Sequence, residues 1–344
     1  DFSLFGQIVI MLLIQAGGLG YMTIATVLMV AFGRRTTLQE RMTLADALNV
    51  STMDGLLRFA RTVALLTLAI ELTGAAIMGA RFAADVGWGR GMYFGLFHAV
   101  SAFNNAGFAL FSDNLMGYRG DLTINLVITT LIICGGLGFI VLADVLHLQR
   151  GGARPGLSTH TRMVLTITGA LLVLGTVTIL GLEWGNARTL GPLPFGEKAL
   201  AAYFQAVTPR TAGFNTIDIG AMTAPALFVS IVLMFIGASP GSTGGGVKTT
   251  TFGIMVAAIW STVRGSAGVV VFKRRLAVDV IARAFALSLI AFFAVSVVAC
   301  VLLVVEGRDL LRTLFETTSA FGTVGLSMGQ TGSPLSLSGF FGTG

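Results

Sequence analysis

The sequence predicts an all-α membrane protein built from a unit repeated with pseudo-fourfold symmetry, and three observations carry that prediction. Hydrophobic residues make up 54% of the chain and charged residues only 11%, with a mean hydropathy of +0.85, whereas a soluble domain is about 25% charged. The apolar residues form continuous runs near 5–32, 56–80, 121–146, 162–183, 223–261 and 278–305, each long enough to cross the roughly 30 Å hydrocarbon core of a bilayer. Finally, one pattern recurs in Ser101-Ala-Phe-Asn-Asn-Ala-Gly-Phe108, Val207-Thr-Pro-Arg-Thr-Ala-Gly-Phe214 and Ser319-Ala-Phe-Gly-Thr-Val-Gly-Leu326. Their glycines are 213 − 107 = 106 and 325 − 213 = 112 residues apart, far beyond any solenoid repeat.

In chain order, the run at 5–32 is the second span of a first unit, which occupies residues 1–45. The second unit, 46–150, has a long span at 56–80, a short apolar stretch at 92–104, a glycine loop and a span at 121–146. The short stretch is too brief to cross and reads as a re-entrant half-helix. The third unit, 151–265, repeats this order with 162–183, a half-helix at 197–207, a second glycine loop and 223–261. The fourth, 266–344, has 278–305, a half-helix at 310–321, the third loop and a truncated last span. Gly17-Gly-Leu-Gly-Tyr21 matches Gly135-Gly-Leu-Gly-Phe139, and Gly136 lies 136 − 107 = 29 residues after Gly107. The same step back from Gly18 falls before Asp1, so the spacing predicts a fragment holding three of four such loops, which by itself should not conduct.

Charge gives the orientation. A net charge of +6 would suggest nucleic acid for a soluble chain, but in a membrane protein the placement of the charges matters, and no nucleic-acid partner is expected. The loops at 33–61, 147–162 and 262–283 hold Arg34, Arg35, Arg41, Arg58, Arg61, Arg150, Arg154, Arg162, Arg264, Lys273, Arg274, Arg275 and Arg283. The opposite loops hold Arg81, Arg90, Arg119, Arg188, Lys198, Arg308 and Arg312. The richer set is cytoplasmic by the positive-inside rule, so all three half-helices enter from outside. Trp88, Tyr93, Trp184 and Tyr203 then fall near the outer interface. Cys134 and Cys300 both lie inside apolar runs, which argues against a disulfide framework and a cysteine-rich metal site.

A half-helix ending at mid-membrane leaves carbonyls without intrahelical partners and turns its negative end inward, where it attracts a cation. A loop after it can aim backbone carbonyls at an axis and replace an ion's hydration shell, provided glycine lets the chain reverse. Gly107, Gly213 and Gly325 provide that freedom. The filter candidates are Asn105, Ala106, Gly107 and Phe108; Thr211, Ala212, Gly213 and Phe214; and Thr323, Val324, Gly325 and Leu326. None is acidic, so a calcium-type carboxylate ring is disfavoured and a carbonyl cage for a monovalent cation fits. Thr323-Val324-Gly325 also begins like the filter sequence of potassium channels. The units therefore surround a central ion pore with three unequal filter loops.

Gly237-Ala-Ser-Pro-Gly-Ser-Thr-Gly-Gly-Gly-Val-Lys-Thr249 interrupts the longest apolar run. Gly237-Ala-Ser239-Pro-Gly241 fits the nucleophile-elbow pattern, but the strand and the His–acid pair that pattern needs are missing from the sequence. A phosphate-binding loop needs glycine directly before its lysine, and Val247 stands there. The chain is not read as an enzyme. So many glycines and Pro240 cannot sustain a helix, and irregular backbone at membrane depth must line a cavity or be buried in protein. The stretch reads as a gate loop beneath the filter, with Gly237, Ser239, Gly241, Gly244, Gly245, Gly246 and Lys248 as its candidate residues. An intramembrane lysine needs a carbonyl or acid partner. Arg210 reads as turned behind its loop toward an acid such as Glu316, and Glu71 as a helix-packing or interfacial group.

With its Ala-Gly-Phe and Thr-Val-Gly-Leu loops, its Gly-Gly-Leu-Gly step and above all Pro240-Gly-Ser-Thr-Gly-Gly-Gly-Val-Lys248, the chain resembles the Trk/Ktr/HKT superfamily of potassium transporters, and within it the bacterial KtrB-type membrane subunits. The resemblance runs from Phe2 to Gly332. It implies potassium uptake through a channel-like pore in the bacterial plasma membrane, with potassium ion as cargo and sodium ion as a second candidate. It also implies a homodimer on cytosolic nucleotide-binding regulatory subunits of the RCK/KtrA type, in contact with membrane lipids. Two alternatives stay open: a sodium or mixed monovalent-cation transporter of the same architecture, and a solute secondary transporter with broken helices.

Overall fold

A computed structural model describes residues 2–31, 53–149, 156–266, 268–307 and 309–329. Arg34, Arg35, Arg41, Arg150, Arg154, Arg308 and the expected start of a last span after 330 lie outside the described residues. The elements are α1 (Leu4–Ala31), α2 (Met53–Val86), α3 (Trp88–Phe103), α4 (Leu122–Leu137), α5 (Phe139–Gln149), α6 (Thr159–Glu183), α7 (Phe195–Val207), α8 (Ala224–Phe235), α9 (Thr249–Val263), the hairpin β1 (Val270–Val271) and β2 (Arg274–Arg275), α10 (Val278–Glu306) and α11 (Leu310–Phe321). The fold is all-α. Two further turns are short 3-10 segments, at Met116–Tyr118 and Ile219–Ala221.

The order long helix, short helix, loop recurs as α2–α3, α6–α7 and α10–α11. The short helices hold 16, 13 and 12 residues, about 18–24 Å of rise, which is short of the hydrocarbon thickness. Gly87 turns the chain between α2 and α3 with φ 83°, and the two helices then pack backbone on backbone. A Cβ on Gly95 would sit 2.5 Å from Ala75 O and Gly79 N. This small-residue contact lets membrane helices approach closely without a hydrophobic driving force.

The second spans differ from expectation. Among the described residues, three helices are long and apolar enough to cross a membrane, Arg61–Val86, Thr159–Glu183 and Val278–Glu306, and the pair α4–α5 makes a fourth. The run 121–146 is bent by 100° between Leu137 and Phe139, and α1 carries non-helical angles at Gly20, φ 75° and ψ 140°. Gly138 adopts nearly the same angles, φ 92° and ψ 148°. The two Gly-Gly-Leu-Gly steps are therefore breaks, at the left-handed glycine that closes each step. The longest run breaks as expected, into α8, the stretch 236–248 and α9. The pattern of apolar residues cannot reveal such a break, because glycine interrupts the helix without lowering hydropathy.

Two buried clusters support the loops. One gathers Phe82, Phe103, Ile124, Ile128, Phe204 and Phe214; the other gathers Ile179, Leu190, Ile231, Met234 and Phe315. At the C-terminus of α6 Glu183 is fully buried. Its Oε1 accepts from Thr223 N (2.7 Å) and Thr223 Oγ1 (2.6 Å), and its Oε2 from Asn186 Nδ2 (2.7 Å) and Thr189 Oγ1 (2.5 Å). Thr223 is the N-cap of α8, so the carboxylate sits at the positive end of that helix. Glu183→Ala strands these donors and is expected to cost about 2–4 kcal/mol, read as a lower unfolding midpoint of the detergent-solubilised protein.

Candidate functional site

Each of the three glycine loops follows the C-terminus of a short helix and turns by the same device. Two residues in each loop, separated by one, are left-handed: Asn105 (φ 53°) and Gly107 (φ 73°), Thr211 (φ 78°) and Gly213 (φ 82°), Thr323 (φ 53°) and Gly325 (φ 86°). Glycine takes this conformation freely. At Asn105, Thr211 and Thr323 it costs roughly 1–2 kcal/mol each, and strain of this kind persists only where the surroundings over-determine the backbone. A hydroxyl at the end of each short helix supplies part of that. Ser101 Oγ donates to Phe108 O (2.8 Å), Thr208 Oγ1 to Phe214 O (2.5 Å) and Ser319 Oγ to Leu326 O (2.7 Å). In the middle loop the hydroxyl has moved one residue along, since Val207 occupies the serine position.

The loops meet edge to edge. A Cβ on Gly107 would lie 2.5 Å from Ala212 O and 2.9 Å from the Gly213 Cα, and one on Gly213 would run into Val324 O. Phe108 O, Phe214 O and Leu326 O are held by the hydroxyls. By contrast, the carbonyls of 105–107, 211–213 and 323–325 accept no hydrogen bond from any described residue. Thr211 and Ala212 are fully buried, and Val324 and Asn105 nearly so. Ala106 and Gly107 are half-buried, and Thr323 and Gly325 are exposed. Buried carbonyls are almost always paired, so the unpaired ones at Asn105, Thr211, Ala212, Gly213 and Val324 mark oxygen available to something other than protein.

Residues 236–248 lie against these loops. Thr243 Oγ1 accepts from Asn105 Nδ2 (2.7 Å) and donates to Phe103 O (3.1 Å). A Cβ on Gly244 would strike Thr211 Oγ1, and one on Gly245 would strike Thr323 Oγ1. Three consecutive residues thus touch the three left-handed Asn and Thr positions in turn. The stretch is tied to the α4–α5 break by Ser239 N to Gly136 O (3.0 Å), Thr243 N to Gly135 O (3.3 Å) and Phe139 N to Gly241 O (2.9 Å). It closes on itself through Gly237 N to Val247 O (3.0 Å) and Ala238 N to Gly245 O (3.1 Å).

The sequence model of the TrkH family, described as a cation transport protein family, matches residues 1–342. The chain belongs to the TrkH family. It is 45% identical over 331 residues to Ktr system potassium uptake protein B of Bacillus subtilis (strain 168), covering 96% of this chain and 74% of that protein. It is 36% identical over 330 residues to potassium/sodium uptake protein NtpJ of Enterococcus hirae, covering 95% and 72%. The fold is shared with the crystal structure of the potassium transporter TrkH from Vibrio parahaemolyticus, with TM-score 0.64 at 20% identity over 92% of this chain and 64% of that one. TrkH-family membership makes the chain a multi-pass membrane protein of a transport family, not an enzyme family.

Within this TrkH-family chain the charged candidates take definite positions. Lys248, the N-cap of α9, donates from Nζ to Gly244 O at 2.7 Å, the carbonyl partner its position demands. Arg210 is buried, and the expected pairing with Glu316 is not formed. Arg210 Nη2 reaches Thr168 Oγ1 at 3.4 Å, while Glu316 accepts from Ser327 Oγ (2.8 Å) and Met328 N (2.9 Å) beside its own loop. Ser239 Oγ meets Thr249 Oγ1 at 2.8 Å and stays inside the loop's own network. Glu71 is buried against Asn104. Thr243 and the three hydroxyl pins are absent from the sequence-derived candidates. The pins had a signal, a Ser or Thr recurring five or six residues before each glycine, whereas a single threonine among glycines has none.

Gly244→Val is expected to drive a side chain into Thr211, at about 1–3 kcal/mol for overpacking. The measurement is a lower thermal midpoint of the full-length protein in detergent; Gly17→Val, where a Cβ meets nothing within 4 Å, serves as the control with little change.

Proposed function

We propose that the chain forms part of a potassium-uptake pore, with residues 105–108, 211–214 and 323–326 in its filter. The band of unpaired carbonyls on three abutting loops carries this reading. Each loop stands at the negative end of a short helix, and such carbonyls can replace the water around a monovalent cation. The names of the relatives agree with potassium as the transported ion. Since NtpJ is named for potassium and sodium, sodium is the second cargo to test. The units 46–150, 151–265 and 266–344 are the proposed repeats, following the end of another at 1–45. A solute transporter fits less well, because none of the loop positions 105–108, 211–214 and 323–326 carries a charged residue.

In the same reading Gly237, Ser239, Gly241, Gly244, Gly245, Gly246 and Lys248 form a gate. They lie under the filter loops and obstruct the path, and the Lys248 ammonium repels cations while the loop is closed. The proposed assembly is a homodimer in the bacterial plasma membrane, contacting its lipids and resting on cytosolic nucleotide-binding subunits of the RCK/KtrA type. The exposed hairpin tip Lys273-Arg274-Arg275 is the docking candidate on this chain.

The deciding measurement is uptake of radioactive rubidium by potassium-starved cells expressing the complete gene, with and without sodium. Gly213→Ala places a Cβ at a left-handed φ and against Val324 O, and is expected to reduce uptake at least about tenfold with membrane abundance preserved. Unchanged uptake would remove the filter assignment. Thr243→Val breaks two hydrogen bonds that hold the loop shut, about 1–2 kcal/mol, so uptake is expected to rise; a fall would count against a gate. Charge reversal at Lys273, Arg274 and Arg275 is expected to reduce co-purification of the regulatory subunit, and unaltered co-purification removes that docking site.

A further inference from the structure

The three filter loops share their upper pin but not their lower one. The residue before each left-handed Asn or Thr is Asn104, Arg210 or Gly322. Gly322 has no side chain, and a Cβ there would press on Met234 O at 2.7 Å. Arg210 has one long bond to Thr168. Asn104 alone is tied to a carboxyl group, with Nδ2 lying 2.9 Å from Glu71 Oε1 on α2, 3.1 Å from Gln15 Oε1 on α1 and 2.9 Å from Val100 O at the end of α3. Gly18 completes the seat, because a Cβ on it would collide with Asn104 Oδ1.

Glu71 and Asn104 are 2% and 5% exposed. A carboxyl group buried within a membrane bundle is costly unless it meets a specific partner, and it marks function by default. Here its partner is a filter-loop side chain, directly before three residues whose carbonyls are unpaired. The bond therefore references one wall of the cage to two helices, α2 directly and α1 through Gln15. A carbonyl cage tells one alkali-metal ion from another by the number, spacing and field of its oxygens, so an anchor of this kind acts on preference as well as on stability.

We propose that Glu71 is a positioning residue that sets the ion preference of the pore through Asn104, without touching the ion. The proposal rests on the pore reading above. Its test is uptake of radioactive rubidium and sodium by cells expressing the full-length protein, with the rubidium KM and the amount of protein in the membrane measured for each variant. Glu71→Met keeps the volume and removes the acceptor. It is expected to lower the rubidium-to-sodium uptake ratio about tenfold, the size of one lost buried hydrogen bond to a polar partner, and to raise the rubidium KM more than it lowers the maximal rate. Glu71→Gln retains an accepting oxygen and is expected to stay within about twofold of wild type. In an Asn104→Ala background Glu71→Met is expected to add nothing, since the two residues act through one bond.

An unchanged ratio in Glu71→Met, or an equal fall in both backgrounds, overturns the inference. Should the methionine variant not reach the membrane, Glu71→Thr, polar but too short to reach Asn104, carries the same expectations. A wild-type protein that takes up neither cation overturns the pore reading, and this inference with it. A selective wild type whose Glu71→Met variant is equally selective overturns this inference alone.

Discussion

Unpaired backbone oxygen at membrane depth is the constraint around which this protein is arranged. Lipid offers no hydrogen bonds, so every peptide group outside a helix must find a partner in protein or face a polar path. The short helices, too brief to span the hydrocarbon core, end in the three glycine loops. Nearly everything around those loops accounts for one group or another: hydroxyls for Phe108, Phe214 and Leu326, the stretch 236–248 for Gly135 and Gly136, and Thr243 for Phe103. After this accounting the remaining oxygens lie together on three touching loops. Their grouping, more than any single residue, is what supports the proposed filter.

The second spans are broken for the same reason. Gly138 turns the chain so that Phe139 N can donate to Gly241 O and the carbonyls of Gly135 and Gly136 can receive Thr243 N and Ser239 N. Two interrupted helices thus satisfy one another, and irregular backbone is tolerated where each piece is buried by the next. Lys248 belongs to this economy of groups as well. It stands at the positive end of α9, an unfavourable place for an ammonium, and Gly244 O offsets that.

Much of the architecture was legible in the sequence, because its signals are local. Half-length apolar runs give the short helices, and the recurring Ala-Gly-Phe pattern gives the loops to the residue. The break at Gly138 was not legible as a break. Gly135-Gly-Leu-Gly-Phe139 stays apolar throughout, and the oxygen that draws the chain out of line comes from Gly241, a hundred residues on. The Arg210 partner failed for a related reason. Glu316 looked free in the sequence, but the turn after Leu326 brings Ser327 and Met328 back to it. The candidate loop was legible as irregular from its glycines and proline, whereas the role of Thr243 depends on where Asn105 and Phe103 arrive in space.

The bonding of the stretch 236–248 is lopsided. Toward the second unit it is stitched by backbone and side-chain hydrogen bonds, to Gly135, Gly136, Phe139, Phe103 and Asn105. Toward Thr211 and Thr323 it presents only the bare backbones of Gly244 and Gly245, while its two ends continue into α8 and α9. It is anchored by hydrogen bonds on one side and only packed on the other. Any shift of this stretch relative to α4 and α5 therefore costs hydrogen bonds, whereas a shift past Thr211 and Thr323 breaks none.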